Sequence, residues 1–176
     1  MRKILVVIVA CAVAACSAPK TETPAAEPAK SMPIEFLDST YINTCKASLA
    51  SLERGDVDGF AGNLADNAVF LWNAGDSLKG KAAIVTYWKD RRGNVIDKLE
   101  LTNHAWVGLK VNESKDAPKG NWVFNWSMVT ASYKGGKSMT QWIHNVYRFD
   151  ATGKIDRMIQ FLDRAPIAAA LPPKKK

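Results

Sequence analysis

The chain has 176 residues, with 24 lysines and arginines against 17 aspartates and glutamates, three cysteines and two histidines. This length suits one domain with a sizeable core. Three of the excess positive charges are the terminal Lys174, Lys175 and Lys176, so the folded part is nearly neutral. Such a domain lacks the basic stripe that nucleic acid requires. With so few cysteines and histidines, we predict no metal site and no cofactor.

The N-terminus has the features of a secretory signal peptide over residues 1–15. Arg2 and Lys3 precede an apolar run of 12 residues, Ile4 to Ala15, which is shorter than the roughly 20 residues that span a bilayer. The run ends in "VAAC", which resembles the lipobox of bacterial lipoproteins and implies lipidation of Cys16. Cys11 is a rival with a shorter apolar run before it, and plain cleavage without a lipid is the other alternative.

A lipidated Cys16 implies a location at the bacterial cell envelope. Ser17 follows it, which favours the outer membrane, facing the periplasm, if the source is Gram-negative. Residues 16–32 are rich in proline, alanine and charge without an apolar period, so we predict a disordered tether. We predict one folded domain over 33–165 and a disordered basic tail over 166–176.

Apolar spacing predicts three helices. Ile34, Leu37, Tyr41, Cys45, Leu49 and Leu52 form one stripe of a first helix that Gly55 ends. Cys45 lies on that stripe, which favours a buried inert thiol over a nucleophile. Asp56 is placed to cap a short second helix. A strand over 68–73 and a third helix over 81–91 follow.

The second half of the chain reads as strands. Residues 98–111 alternate, with Leu99, Leu101, Ala105, Val107, Leu109 and Val111 on one face. The segments 121–133 and 137–150 flank "KGGK", which we interpret as a two-residue hairpin turn at Gly135-Gly136. That turn pairs Trp126 with Asn145, and it places Trp126 and Met128 on the core-facing side with Ile143 and Tyr147.

Helices followed by antiparallel strands predict an α+β domain. An aromatic sheet face covered by only three helices leaves room for a pocket. Asn145 lies on that face, either as a hydrogen-bonded structural residue or as a group that contacts a ligand.

Three segments, "LERGDVDGFAGNLADNAVF", "LKGKAAIVTYW" and "HNVYRFDATGKIDRMIQFLD", resemble the nuclear transport factor 2-like superfamily, which includes SnoaL-like cyclases and ketosteroid isomerases. The resemblance spans about residues 38–165. It implies a cone-shaped curved antiparallel sheet with three helices packed on its concave face. Its members are commonly dimers through the outer sheet face, which implies a homodimer here.

The resemblance does not carry over ketosteroid isomerase chemistry. That enzyme's base falls near Trp72, its tyrosine near Ser48 and its protonated acid at Asn145. Without a base, proton transfer by that route has no agent. His104 and Asp76 remain weak catalytic candidates, and His144 is expected on the outer face.

The resemblance also implies a cone lining that is aromatic, carries amides and has no charge in its middle. We therefore favour a small, neutral, partly apolar ligand, or an accessory module, over an isomerase, cyclase or hydrolase and over a non-catalytic interaction scaffold. The alternative that aromatic side chains simply fill the cone stays open. The expected ligand-binding residues are Trp72, Trp88, Trp126, Met128, Gln141, Asn145, Tyr147 and Gln160.

Overall fold

The computed structural model describes residues 32–173. Its helices are α1 (Ser39–Glu53), α2 (Val57–Ala61), α3 (Lys81–Asp90) and α4 (Arg164–Ala170). Its strands are β1 (Ile34–Phe36), β2 (Leu64–Trp72), β3 (Ser77–Lys79), β4 (Ile96–Val111), β5 (Gly120–Tyr133), β6 (Ser138–Phe149) and β7 (Ile155–Phe161). A π-helical turn, Arg91–Val95, joins α3 to β4. The predicted signal peptide, Cys16, the tether as far as residue 31 and Lys174 to Lys176 lie outside the described residues.

The seven strands form one curved, open sheet in the order β1-β4-β5-β6-β7-β2-β3, so the predicted α+β class is confirmed. All neighbouring strands are antiparallel except β2 and β7, which are parallel, so the sheet is mixed. The helices pack on one face of the sheet, where α1 contacts β4 and β5, α3 contacts β2, and α4 contacts β6. The core lies between these two layers.

The first helix starts later than its apolar stripe predicted. Ile34–Phe36 is a short edge strand paired with β4. The helix begins after Asp38, whose side chain accepts a hydrogen bond from the Thr40 backbone nitrogen at 2.7 Å. An aspartate in this position satisfies a backbone donor that the first turn leaves open. The predicted cap at Asp56 is confirmed, because its carboxylate accepts from the Gly59 nitrogen at 2.7 Å.

The hairpin between β5 and β6 differs from the prediction by one residue. Tyr133 donates its backbone nitrogen to the Lys137 carbonyl, and Gly135 has φ +66°. The loop therefore contains three residues, a form in which one of them adopts the left-handed conformation that glycine tolerates. Ser132 faces Ser138, and every pair along the two strands shifts accordingly.

That shift reverses the faces of β5, because side chains alternate along a strand. Asn125 rather than Trp126 faces Asn145. The placement of Trp126 and Met128 on the core face was therefore wrong. Trp126 pairs with His144 and Met128 with Trp142, on the outer face.

Strand β4 does not keep one alternation along its length. A bulge between Thr102 and Ala105 contains Asn103, whose φ is +53°. Leu99 and Leu101 face the core before the bulge, as predicted. After it, Ala105, Val107 and Leu109 pair with Trp126, Phe124 and Trp122, which brings them to the outer face with those residues. A bulge adds an unpaired residue and thereby changes the parity of the strand.

The fourth helix lies partly in the segment predicted as a disordered tail. Ala170 of α4 is buried, and Ile167 and Leu171 pack against the core. The Ala170 carbonyl accepts a hydrogen bond from the Lys137 nitrogen at 2.8 Å. A Cβ on Gly136 would lie 2.3 Å from that same carbonyl, so the hairpin needs glycine there. The prediction that the fold ends at residue 165 was therefore wrong.

Within residues 32–173, no helix combines the length and the apolar character needed to cross a membrane.

Candidate functional site

A cavity of about 510 Å³ lies between the sheet and helices α1, α3 and α4. Volumes of 300 to 1,000 Å³ are typical of small-molecule sites. Its apolar lining includes Leu49, Leu52, Ile96, Leu99, Leu101, Val129, Ala131 and Ile143. Among the described residues, the inside of the curved sheet is therefore open at this cavity, although aromatic side chains partly fill its deeper end.

The floor of the cavity carries a row of side chains at right angles to the strands. Asn125 pairs with Asn145, Asn145 pairs with Gln160, and Gln160 pairs with Trp72, so these four residues occupy neighbouring positions on β5, β6, β7 and β2. Directly opposite side chains on adjacent strands lie within contact distance. The register of the sheet thus brings three primary amides together.

Each member of this row donates a hydrogen bond to the next. Trp72 Nε1 donates to Gln160 Oε1 at 3.2 Å, Gln160 Nε2 donates to Asn145 Oδ1 at 3.0 Å, and Asn145 Nδ2 donates to Asn125 Oδ1 at 3.4 Å. The row ends where Asn125 Nδ2 donates to the carbonyls of Ala105 and Trp126. We call these four side chains the amide row.

The two ends of the amide row fix the orientation of every amide in it. An indole nitrogen can only donate, and a backbone carbonyl can only accept. Reversing any one amide would therefore oppose two donors or two acceptors. Asn145 and Gln160 line the cavity and each keeps one amide hydrogen and one acceptor position for a further partner. Asn145 is thus both a structural residue and a cavity residue.

His104 lies beside the bulge of β4, away from the cavity. Its Nε2 is 3.0 Å from the Leu101 carbonyl, so that nitrogen carries the hydrogen, and its Nδ1 is 3.4 Å from Asn125 Nδ2. The Leu101 nitrogen in turn donates to Glu53 Oε1 at 2.9 Å. His104 lines a separate groove between α1 and β4, with Trp106. These contacts support the bulge, and His104 is not among the residues that line the cavity.

Asp76 reaches the mouth of the cavity. Both of its carboxylate oxygens accept from Arg164 Nη2, at 2.6 and 2.8 Å, and both residues are exposed. The pair joins the loop before β3 to the first residue of α4. Of the two weak catalytic candidates, only Asp76 borders the cavity.

Gln141 lines the cavity but uses its amide to hold α4. Its Oε1 accepts from the Asp163 backbone nitrogen at 2.9 Å, and its Nε2 donates to the Asp163 carbonyl at 3.0 Å. Asp163 then caps the helix by accepting from the Ala165 nitrogen at 2.8 Å. Gln141 therefore positions the helix that supplies Ile167, Ala168 and Leu171 to the cavity wall.

The expected ligand-binding residues fall into three groups. Trp72, Trp88, Gln141, Asn145 and Gln160 line the cavity. Tyr147 lines a separate small cleft that shares residues with the cavity, and burial raises the pKa of its hydroxyl well above the ordinary value. Trp126 and Met128 lie on the opposite face of the sheet, for the register reason given above.

The sequence predicted a lining without charge in its middle, and it did not identify three charged residues that contribute to the lining, Arg91, Arg164 and Asp76. Tyr87 and Tyr133 line the same cavity, and burial raises the pKa of both phenols. Arg91 follows Tyr87 by four residues, so it continues one helical face. That spacing was the signal in the sequence that could have identified it.

The cysteine on α1 does not enter this chemistry. Cys45 is fully buried, and burial raises the pKa of its thiol. A thiol that stays protonated is a poor nucleophile. Among the described residues, no group of three or more histidine, cysteine, aspartate or glutamate side chains could hold a metal ion.

The sequence of residues 46–158 matches the family described as the SnoaL-like domain. No curated protein matches the chain. Solved structures do match it, although at identities that establish likeness of fold alone.

Three of these structures cover most of both chains. An NTF2-like protein of unknown function from Burkholderia pseudomallei has a TM-score of 0.61 and 15% identity, over 77% of this chain and 100% of that chain. An LEH-like epoxide hydrolase from M. tuberculosis has a TM-score of 0.58 and 18% identity, over 74% and 88%. A protein provisionally named a polyketide cyclase, from a Silicibacter species, has a TM-score of 0.63 and 14% identity, over 79% and 100%.

The amide row predicts a contrast between two buried positions on β5. Asn125 and Ser127 are both 0% exposed on the same face of the strand, but the Ser127 hydroxyl has no hydrogen-bond partner within residues 32–173. Asn125→Ala removes the acceptor of Asn145 Nδ2 and a donor to the Ala105 carbonyl, so we expect it to lower the free energy of unfolding by about 1–3 kcal/mol. Ser127→Ala should lower it by less than about 0.5 kcal/mol, because that hydroxyl contributes no hydrogen bond.

Urea denaturation of both variants, followed by tryptophan fluorescence, measures the difference. Equal losses of stability in the two variants would contradict a stabilising role for the amide row.

Proposed function

The chain belongs to the SnoaL-like domain family, and from this premise we propose that it is an envelope protein whose cavity binds a small, mostly apolar molecule. The observation that carries the proposal is a cavity of about 510 Å³ that combines an apolar wall with amides on its floor. Those amides keep hydrogen-bonding positions that no other side chain within residues 32–173 uses. Apolar walls with a few convergent polar groups characterise small-molecule sites.

The apolar wall supplies the affinity in this proposal. Burying apolar surface contributes about 25 cal/mol per Å², so a ligand that covers the leucines and isoleucines of the wall gains several kcal/mol. The amides of Asn145 and Gln160 then orient the ligand, because each has a donor and an acceptor position left over. A ligand with one polar group near its middle or end fits this arrangement.

Binding rather than catalysis is proposed because the cavity brings together no evident proton-transfer pair. Among the described residues that line it, Asp76 is the only carboxylate, and Arg164 holds both of its oxygens. His104 contacts the β4 bulge instead. General acid–base catalysis needs a group within hydrogen-bond reach of the reacting proton.

An apolar probe tests this proposal directly. We expect N-phenyl-1-naphthylamine, which is neutral and fluoresces in apolar surroundings, to bind saturably to the purified protein. Ala168 of α4 is exposed and lines the cavity, so Ala168→Trp should obstruct it and weaken binding by about tenfold or more, equivalent to 1.4 kcal/mol.

Ala169→Trp is the matched control, since Ala169 lies on the same helix, is exposed and is not part of the lining. Fluorescence titration should give it the affinity of the unaltered protein. No saturable binding, or the same loss in both variants, would rule out this cavity as the site.

The location at the envelope rests on the sequence before the described residues. A lipid on Cys16 would hold the domain at the membrane through the segment 17–31, and stable attachment requires more than one acyl chain. In a Gram-negative cell we propose the outer membrane, with the domain in the periplasm.

Replacement of Cys16 tests the anchor. With Cys16→Ser, the protein should lose the acyl mass on its N-terminal peptide and leave the membrane fraction, since position 16 no longer has a thiol to accept the lipid. Mass spectrometry and cell fractionation measure both effects. Cys11→Ser is the control, and loss of the lipid in that variant alone would move the site to Cys11.

A second proposal concerns the outer face of the sheet, which we propose pairs with the same face of a second copy. Trp126, Trp142 and Phe161 are 42%, 56% and 44% exposed there. Both Trp126 and Phe161 stack on the His144 ring, with 4.5 Å and 5.6 Å between the ring centres, respectively. A clustered, uncharged aromatic surface is unusual on a monomer. A twofold dimer would bury it against itself.

A charge at the centre of this surface should separate the copies. Trp142→Glu is expected to weaken self-association by about tenfold or more, because a carboxylate would be buried without a partner. Ser138→Glu adds the same charge on the same face of β6, but near the hairpin end, and should have a smaller effect. Sedimentation equilibrium measures both, and a protein that is monomeric before mutation would exclude the dimer.

A further inference from the structure

Arg91 differs from the other charged residues of the cavity lining because nothing in the described chain neutralises it. Arg164 and Asp76 form an ion pair with each other. Arg91 belongs to none of the salt bridges within residues 32–173. Its Nε is buried and has no hydrogen-bond partner among those residues. The lining therefore has one excess positive charge and one buried donor that is left open.

Two tyrosines accompany Arg91 at this part of the wall. The Arg91 guanidinium carbon lies 5.9 Å from the centre of the Tyr133 ring, and Tyr87 precedes Arg91 by one helical turn. Burial raises the pKa of both phenols, so both hydroxyls are protonated at neutral pH and can donate. One guanidinium and two hydroxyl donors thus border the same space.

The backbone gives this group a defined position. Arg91 begins the π-helical turn Arg91–Val95, after which Ile96 pairs with Tyr133. Turns of this type inside helices occur often at functional sites. The turn and the strand pair together keep the arginine and the tyrosine on one side of the cavity.

We propose that the ligand is an apolar monocarboxylic acid, with its carboxylate at Arg91, Tyr87 and Tyr133 and its apolar body along the leucine wall. This inference rests on the binding function proposed above and specifies its ligand class. A guanidinium matches the two oxygens of a carboxylate with two parallel hydrogen bonds. A buried carboxylate is stable only when it is paired and hydrogen-bonded, and this group supplies both conditions.

The charge of the lining favours a single negative charge over a phosphate. One unpaired arginine balances one carboxylate, whereas a doubly charged group would leave a charge uncompensated in a mostly apolar cavity. A fatty acid and an aromatic acid share this chemistry. This proposal replaces the neutral ligand expected from the sequence, because that expectation did not take Arg91 into account.

Three probes of equal chain length separate the contributions: octanoate, 1-octanol and octylamine, the last as its ammonium ion. Isothermal titration calorimetry on the purified protein should show octanoate binding about tenfold or more tighter than 1-octanol, since hydrogen bonds between charged groups are stronger than those of a neutral hydroxyl. Octylammonium should bind weakest, because its positive charge would lie beside the unpaired Arg91 guanidinium and be repelled by it.

Variants assign this preference to Arg91. Arg91→Gln should weaken octanoate binding by about tenfold or more and leave 1-octanol binding within about twofold, which also shows that the cavity is intact. Tyr133→Phe should give a smaller, selective loss for octanoate. Lys110→Gln removes the same charge from an exposed position outside the lining and should change neither.

The outcomes distinguish this inference from the function on which it rests. Equal binding of octanoate and 1-octanol, or equal losses of both in Arg91→Gln, overturns the carboxylate assignment while the apolar site stands. If neither these probes nor the neutral fluorescent probe binds, both proposals fail. Preference for octanoate that survives Arg91→Gln also overturns the assignment.

Discussion

Two buried primary amides and a third, half-buried one lie on neighbouring strands and must satisfy one another, and much of the site follows from that requirement. An unpaired buried amide costs about 1–3 kcal/mol, so Asn125, Asn145 and Gln160 are compatible with the core only if they are in register. The observed pairing meets this condition, and Trp72 and two backbone carbonyls complete the series. The amide row therefore ties the register of four strands to the polarity of the cavity floor.

The same row explains why a bulge is tolerated in the middle of β4. A bulge interrupts the hydrogen-bond ladder and leaves backbone groups to be satisfied by other means. Here Asn125 contacts the Ala105 carbonyl, His104 contacts the Leu101 carbonyl, and Glu53 accepts from the Leu101 nitrogen. A histidine in a cone-shaped fold invites a catalytic interpretation, but these contacts give it a structural one.

Periodicity and resemblance predicted the class of the fold, the order of most elements and the core face of β6. The residues that the resemblance placed in the lining and that do line the cavity are Asn145, Gln141, Trp72, Trp88 and Gln160. Trp126 and Met128 were misplaced because parity on β5 depends on whether the glycine turn has two or three residues. The alternation of side chains converts that single residue into a change of face.

Other parts of the site were beyond local reasoning. The bulge at Asn103 reverses the faces to which side chains point in the second half of β4. The sequence hints at it only because asparagine is a residue that tolerates the positive φ found there. The ion pair of Asp76 with Arg164 joins residues 88 apart in the chain, which no spacing rule connects. Arg91 could have been predicted from the sequence, since it extends the stripe of Ile84, Tyr87 and Trp88. A charged residue at that position, however, is ordinarily interpreted as the end of an apolar stripe.

Helix α4 is attached at both of its ends, to β6 through Gln141 at Asp163 and to the residue just before β6 through Lys137 at Ala170. The segment between these two attachments is a short wall that carries no part of the sheet. Substitutions at its inward positions alter the size and shape of the cavity without disturbing the strands or the amides. In evolutionary terms, the shape of the cavity is able to diverge through one seven-residue helix while the hydrogen-bonded amides of the sheet are inherited unchanged.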